Sequence, residues 1–132
     1  MSGITYDTGA LDAAEGGDRR VWAMHRRALE RLHTPTVPAG VLAQAWRGGP
    51  QPFLSRLLAG CWIEPLDEPG ARAAGQLLGR AKSADAIDAI DAIDASVVAG
   101  ALRRGDAIVT SDRRDIETLA NAVGRRLGVI AV

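Results

Sequence analysis

Apolar and polar positions along the chain follow two alternating rhythms. Short β-prone runs occur at Ile4-Thr5-Tyr6, Thr36-Val37-Pro38, Cys61-Trp62-Ile63, Ala107-Ile108-Val109-Thr110 and Val129 to Val132. Longer stretches of helical spacing separate them. From Val21 to Leu32, the apolar residues Val21, Met24, Ala28 and Leu32 share one face, while Arg19, Arg20, Arg26, Arg27 and Arg31 occupy the other. A helix is also predicted to open at Thr8. Others are predicted over Val41 to Trp46, stopped by Gly48-Gly49-Pro50, and over Pro52 to Ala59, ended by Gly60. The remaining ones run over Pro69 to Lys82, Asp85 to Arg104 (ended by Gly105) and Asp115 to Leu127. Strands that alternate with helices imply an α/β protein with a mostly parallel sheet and helices on both faces. No linker interrupts the pattern, so residues 1–132 are expected to form a single domain.

Composition narrows this picture modestly. A chain of 132 residues that is 47% apolar can bury one sizeable core. The formal net charge is zero, so any binding of nucleic acid must rest on a local basic patch rather than on the total. Lys82 is the only lysine. The arginine bias suits phosphate contacts, and it equally suits compositional drift in an Ala- and Gly-rich chain. Cys61 is the only cysteine, which excludes an internal disulfide and a cysteine-rich zinc site. No run is long and apolar enough to span a membrane, and the start carries no basic-then-apolar leader, so a cytoplasmic protein is expected. His25 and His33 have no partner at metal-ligand spacing and are expected at the surface or half-buried. Trp22, Trp46 and Trp62 are expected in the core or an interface, and Cys61 is expected to be buried. Gly-rich phosphate loops are absent.

The chemistry lies in the aspartates. Asp7 follows the first strand, Asp112 and Asp115 follow the fourth, and Asp94 sits on the helix before the fourth. In a parallel sheet the carboxyl ends of the strands share one edge, where ligands bind. Carboxylates gathered there raise one another's pKa, and a hard, oxygen-seeking cation such as Mg²⁺ or Mn²⁺ relieves the repulsion. Such an ion can activate water and polarise a phosphodiester. The triplet Asp-Ala-Ile is written three times between Asp85 and Ile93. At about 100° per residue, Asp91 lies roughly 60° from Asp94 on a helix, whereas Asp88 and Asp85 lie roughly 120° and 180° away. Asp91 therefore pairs with Asp94, and Asp85 and Asp88 are expected to face solvent.

These residues fall in an order that resembles PIN domains of the VapC toxin type. Asp7-Thr8-Gly9-Ala10-Leu11 is similar to the family's opening motif, and Val37-Pro38-Ala39-Gly40-Val41-Leu42-Ala43-Gln44-Ala45-Trp46-Arg47 to its second. Asp94-Ala95-Ser96-Val97-Val98-Ala99 is similar to the third, and Asp106-Ala107-Ile108-Val109-Thr110-Ser111-Asp112 with Asp115 to the fourth. The resemblance spans essentially the whole chain. It implies a three-layer α/β/α fold, Mg²⁺- or Mn²⁺-dependent ribonuclease activity, a VapB-type antitoxin and a homodimer. It implies Asp7 and Asp94 as the main metal ligands, Asp112 as a direct or water-mediated ligand, and Asp115 in support. Thr8, Thr110 and Ser111 would hydrogen-bond the carboxylates or waters.

One departure matters. Most of the family carries glutamate where this chain has Gln44. Gln keeps the length and a carbonyl oxygen and loses the charge. A catalytically degenerate PIN domain, binding antitoxin or RNA without cleavage, is therefore the rival reading. A receiver-like signalling domain is a more distant one, because Lys82 is poorly placed for it. Arg47, near Gln44, and Arg113 and Arg114, beside Asp112, are candidates for contacts to RNA phosphates and equally for plain surface positions.

Overall fold

The computed structural model describes residues 3–83 and 91–132. Its strands are β1 (Ile4–Tyr6), β2 (Thr36–Pro38), β3 (Trp62–Glu64), β4 (Ala107–Thr110) and β5 (Val129–Ala131). The helices are α1 (Thr8–Glu15), α2 (Arg19–Glu30), α3 (Ala39–Ala45), α4 (Pro52–Ala59), α5 (Glu68–Ser83), α6 (Ala92–Arg104) and α7 (Arg113–Ala122). The strands form one sheet in the order β3-β2-β1-β4-β5, and every pairing is parallel. Thr5 of β1 stands opposite Thr36 on one side and Ile108 on the other. The α/β/α expectation therefore holds.

The sheet order has a functional consequence. From β1 the chain steps one way to β2 and β3, and then returns to the other side of β1 for β4 and β5. The direction reverses between β1 and β4, and at such a reversal the connecting segments leave toward opposite faces and open a crevice at the strands' carboxyl ends. Helices α1, α3 and α4 pack together on one side, and α5, α6 and α7 pack together on the other. Between these layers the core fills with Tyr6, Val37, Ile108 and Val109 from the strands and Leu11, Leu54, Leu57, Val97, Val98, Ile116 and Leu119 from the helices, all essentially fully buried. Each large aliphatic contributes about 1.5–3 kcal/mol by leaving water.

Several helix ends differ from the sequence reading, and capping explains them. Helix α6 begins at Ala92 because Asp91 caps it: the Asp91 side chain accepts from the Asp94 amide at 2.9 Å. Asp91 and Asp94 are thus the cap and third residues of one helix start, not neighbours in mid-helix. Asp85 and Asp88 lie outside the described residues. Helix α7 starts early, at Arg113, behind its cap Asp112. Helix α6 ends as expected, at Gly105, whose φ of 73° is the left-handed conformation that glycine adopts without strain.

The half-polar helix α2 holds another surprise. Its four arginines and Arg31 just after it are exposed as expected, but Leu32 lies beyond the helix at 90% exposure rather than on the packed face. His25, expected nearer the surface, is buried. Its Nδ1 lies 2.9 Å from the Tyr6 hydroxyl, and Trp22 meets the ring edge-on. Trp46 and Trp62 are partly exposed, and Trp22 packs against the core. Cys61 is half-buried; its thiol donates to the Leu57 carbonyl, and burial pushes its pKa up to about 12.

Burial lowers the pKa of His25, because the charged ring would lose its water. The folded state therefore binds this proton less readily than the unfolded state does. Stability is full above about pH 6.5 and falls as the pH drops below it, by at most about 1.4 kcal/mol per pH unit. The raised carboxyls of Asp7, Asp94 and Asp115 gain stability over the same range, so the His25 contribution is read as a difference: between pH 7.5 and 5 the urea midpoint of wild type is expected to fall relative to that of His25→Gln. Parallel pH profiles of the two proteins would exclude it.

Candidate active site

Asp7 and Asp112 flank the crevice between β1 and β4. Each is the residue that caps the helix following its strand. The Asp7 Oδ1 accepts from the Ala10 amide at 2.9 Å, and its own amide donates to the Val109 carbonyl at 3.1 Å, which ties it to the neighbouring strand. The Asp112 amide donates to Thr110 Oγ1 at 2.8 Å, and its carboxylate accepts from the Asp115 amide at 3.4 Å. Helix α6 runs antiparallel to the strands, since it ends where β4 begins. Its start, with Asp91 and Asp94, therefore reaches the same sheet edge. Three helix N-termini thus converge there, each capped by an aspartate, and each supplies partial positive charge to its carboxylate.

That support does not cancel the crowding. Burial raises the pKa of Asp7; the Thr110 hydroxyl and the Ala10 and Gly9 amides pull it back, and the Asp112 charge pushes it up again. Burial lifts Asp94 to about 6, with the Asp91 and Asp115 charges adding to the rise. Asp115 is raised by burial and then by Asp112, and partly relieved by Arg114. Asp112 thus acts on both Asp7 and Asp115, and Asp115 acts on Asp94.

Among the described residues, no three acidic, histidine or cysteine side chains gather closely enough to hold an ion as they stand. The acids come instead as a chain of interacting pairs. Their chemistry nonetheless suits a hard divalent cation: the donors are all oxygens, and their mutual repulsion is what a cation relieves. Asp94 keeps its Oδ2 on the Asp91 amide at 3.3 Å, a long contact that is cheap to give up.

The neighbouring candidates fall into place unevenly. The Thr8 hydroxyl donates to Gln44 Oε1, so Gln44 is anchored one residue from Asp7 by a carbonyl that is already engaged. Thr110 is fully buried beneath the crevice. Arg47 folds back onto the Trp46 carbonyl at 2.9 Å. Arg113 pairs with Glu117 at 3.1 Å and donates to the Val129 carbonyl at 3.2 Å. Arg114 is exposed and acts on Asp115 through its charge.

The sequence reading missed a second polar cluster. Arg104 bridges Glu64, buried Asp106 (2.9 Å) and Thr5 (2.9 Å), while Thr5 donates to Asp106 at 2.8 Å. It satisfies charges beneath the sheet, and its signal in the sequence was only an Arg-Gly-Asp turn before β4. A cleft of about 430 Å³ opens elsewhere, lined by Trp62, Leu66, Ser96 and Arg103 among others; none of the four site aspartates lines it. The acids stand on an open edge, with Asp112 exposed and Asp7 half-buried. An open edge admits a long polymer more readily than an enclosed pocket does.

No family model matches the chain, and no curated protein does. Solved structures do. The chain is similar to VapBC2 from Rickettsia felis bound to a DNA fragment from their promoter, with a TM-score of 0.75 and 15% identity over 98% of each chain. It is similar to DNA-bound VapBC from Salmonella typhimurium, with a TM-score of 0.68 and 17% identity over 98% of each chain. It is also similar to FitAcB from Neisseria gonorrhoeae, with a TM-score of 0.65 and 20% identity over 96% of each chain. At these identities the likeness establishes a shared PIN-like fold over nearly the whole length. No helix among the described residues is long and apolar enough to cross a membrane.

Proposed function

We propose that this protein is a metal-dependent endoribonuclease and the toxin of a VapBC-type toxin–antitoxin pair. The observation that carries the reading is the run of neighbouring carboxylates, Asp7, Asp112, Asp115 and Asp94, at the crevice where the sheet order reverses, with Asp7, Asp94 and Asp115 all raised by burial and by acidic neighbours. Structural likeness to toxin–antitoxin complexes supports a VapB-type antitoxin as partner. A homodimer and a cytoplasmic location follow from the family resemblance.

In this reading Asp7, Asp94 and Asp112 hold Mg²⁺ or Mn²⁺, and Asp115 keeps Asp112 in place. The bound ion supplies activation of water and charge neutralisation at a phosphodiester. Thr110 orients Asp112 through its amide, and Thr8 fixes Gln44 beside Asp7. Exposed Arg114 can swing toward an RNA backbone, whereas Arg47 must first leave the Trp46 carbonyl and Arg113 must leave Glu117. The test is incubation of antitoxin-free protein with total RNA, with and without Mn²⁺. Cleavage that needs the metal is expected; absence of cleavage by a folded, Mn²⁺-loaded protein would overturn the reading.

A second reading rests on Gln44. Its amide carries no charge to offer a cation, and one lone pair of its carbonyl oxygen is engaged by Thr8. A protein that binds an antitoxin or RNA without cutting would account for this, and it would bind RNA in the same experiment while leaving it intact.

A further inference from the structure

The tightest approach at the candidate site involves no carboxylate. Gly9, the second residue of α1, lies against Ser111 in the turn between β4 and α7. A Cβ built on Gly9 would sit 1.9 Å from Ser111 Oγ, 2.7 Å from its Cβ and 3.1 Å from its amide nitrogen. The hydroxyl could rotate away, but the Cβ and the backbone cannot. Ordinary contact begins near 3.4 Å, so an alanine at position 9 must displace the 110–112 turn by several tenths of an ångström or more.

Asp7 lies two residues before Gly9, and Asp112 follows Ser111 directly. The Asp7 carboxylate is held to the start of α1 by its cap bond at 2.9 Å, and Asp112 is held at the start of α7 chiefly by its amide on Thr110 Oγ1 at 2.8 Å, with a looser contact from its carboxylate to the Asp115 amide at 3.4 Å. Whatever sets the spacing between the start of α1 and the start of α7 therefore sets the spacing between the two carboxylates. Nothing about backbone conformation demands glycine here, since Gly9 is an ordinary helical residue, and alanine would favour the helix. The demand comes from the neighbour across the crevice.

We propose that the side-chain-free contact of Gly9 with Ser111 is a positioning device that fixes the separation of Asp7 and Asp112. Gly9 and Ser111 act as positioning residues, through the carboxylates and without touching substrate. The inference rests on the reading of those carboxylates as a metal site.

A double-mutant cycle tests it, using wild type, Gly9→Ala, Ser111→Gly and the double variant of the full chain. Mn²⁺ affinity is read by calorimetry, and the amide signals of Thr110 and Asp112 are read in metal-free nitrogen–proton spectra. Gly9→Ala is expected to weaken Mn²⁺ binding at least tenfold and to shift both amides, while its folded spectrum persists. Ser111→Gly alone sets the reference for the rescue, because the Ser111 hydroxyl is itself a candidate partner of the site's carboxylates and waters. The double variant, with the Cβ–Cβ clash removed, should bind Mn²⁺ as well as Ser111→Gly and more tightly than Gly9→Ala, and should return the amides toward wild-type positions. A loss of stability alone would not produce that rescue. Wild-type affinity in Gly9→Ala, or a double variant as weak as Gly9→Ala, would overturn the proposal. If wild type itself binds no Mn²⁺, the metal-site reading fails, and the amide shifts alone decide the positioning role: shifts rescued in the double variant uphold it, and unmoved or unrescued ones overturn it.

Discussion

Replacing Asp94 by Asn is expected to remove at least about 100-fold of the Mn²⁺-dependent RNA cleavage while making the metal-free protein more stable. The loss follows from the proposed role. Even groups that merely orient a metal ligand cost about 10–100-fold when removed, so a direct ligand costs at least the upper end of that range. The gain follows from the crowding. The Asp94 carboxyl is raised from 3.8 to about 6, first by burial and then by Asp91 and Asp115. The folded state therefore binds this proton more tightly than the unfolded state does. Above about pH 6 the folded protein carries the full penalty of the charged form, and the penalty fades as the pH falls toward 4. Asn removes the charge but keeps an oxygen for the Asp91 amide. After allowance for solvent screening of a half-exposed group, the gain at pH 7.5 is about 1 kcal/mol, a rise of roughly 3–5 °C in the melting midpoint. The gain should vanish near pH 4. Thermal melts at both pH values, beside an RNA cleavage assay, check this. A variant that cuts like wild type would remove Asp94 from the site. One that is less stable at pH 7.5 would mean that its cap contact outweighs the repulsion.

This pairing of opposite effects reflects how the site is built. Asp7, Asp91 and Asp112 each cap a helix, which is a sufficient structural reason for aspartate at each position. What capping does not explain is the gathering of three caps at one sheet edge. Only the sheet order, with β1 between β2 and β4, brings them together.

Much of this was legible in the sequence because it is local. The strands were readable as β-branched runs, Gly105 as a helix stop, and Asp7 and Asp112 as the residues that follow strands. What was illegible was set by contacts distant in the chain. His25 looked like an isolated polar residue on an arginine-rich helix, and it is buried because Tyr6 offers a hydroxyl to its ring. Leu32 fitted the apolar face by spacing, but the helix ends at Glu30 and leaves it outside. Asp91 fitted a helix interior by the same arithmetic, and it is a cap because its side chain competes for the Asp94 amide. Gly9 lay inside a recognisable motif, yet its partner Ser111 sits some hundred residues away and only the fold brings them into contact.

Gln44→Glu separates the two functional readings most sharply. Glutamate has the same length, and Thr8 can donate to its carboxylate as it does to the Gln44 carbonyl, so the anchor survives. The new charge would sit on the Thr8 hydroxyl, one residue along the chain from Asp7. A unit negative charge within several ångströms of a divalent ion, even in fully watery surroundings, contributes on the order of 1–2 kcal/mol, roughly a tenfold gain in affinity. Less solvated surroundings would make the gain larger. In the metal-free protein the same charge adds to the acidic neighbourhood of Asp7, and the variant should melt lower than wild type at neutral pH, the reverse of Asp94→Asn. Calorimetry with Mn²⁺, metal-free melts and RNA cleavage read the three effects. If wild type and variant both cut, with the variant binding Mn²⁺ about tenfold more tightly, Gln44 is a tolerated weakening of an active site. If only the variant cuts, the natural protein binds without cleaving, and one restored carboxylate is enough to revive the chemistry. If affinity, melting and cleavage all stay at wild-type values, Gln44 lies outside the field of the metal, and its bond to Thr8 serves only to join α3 to α1.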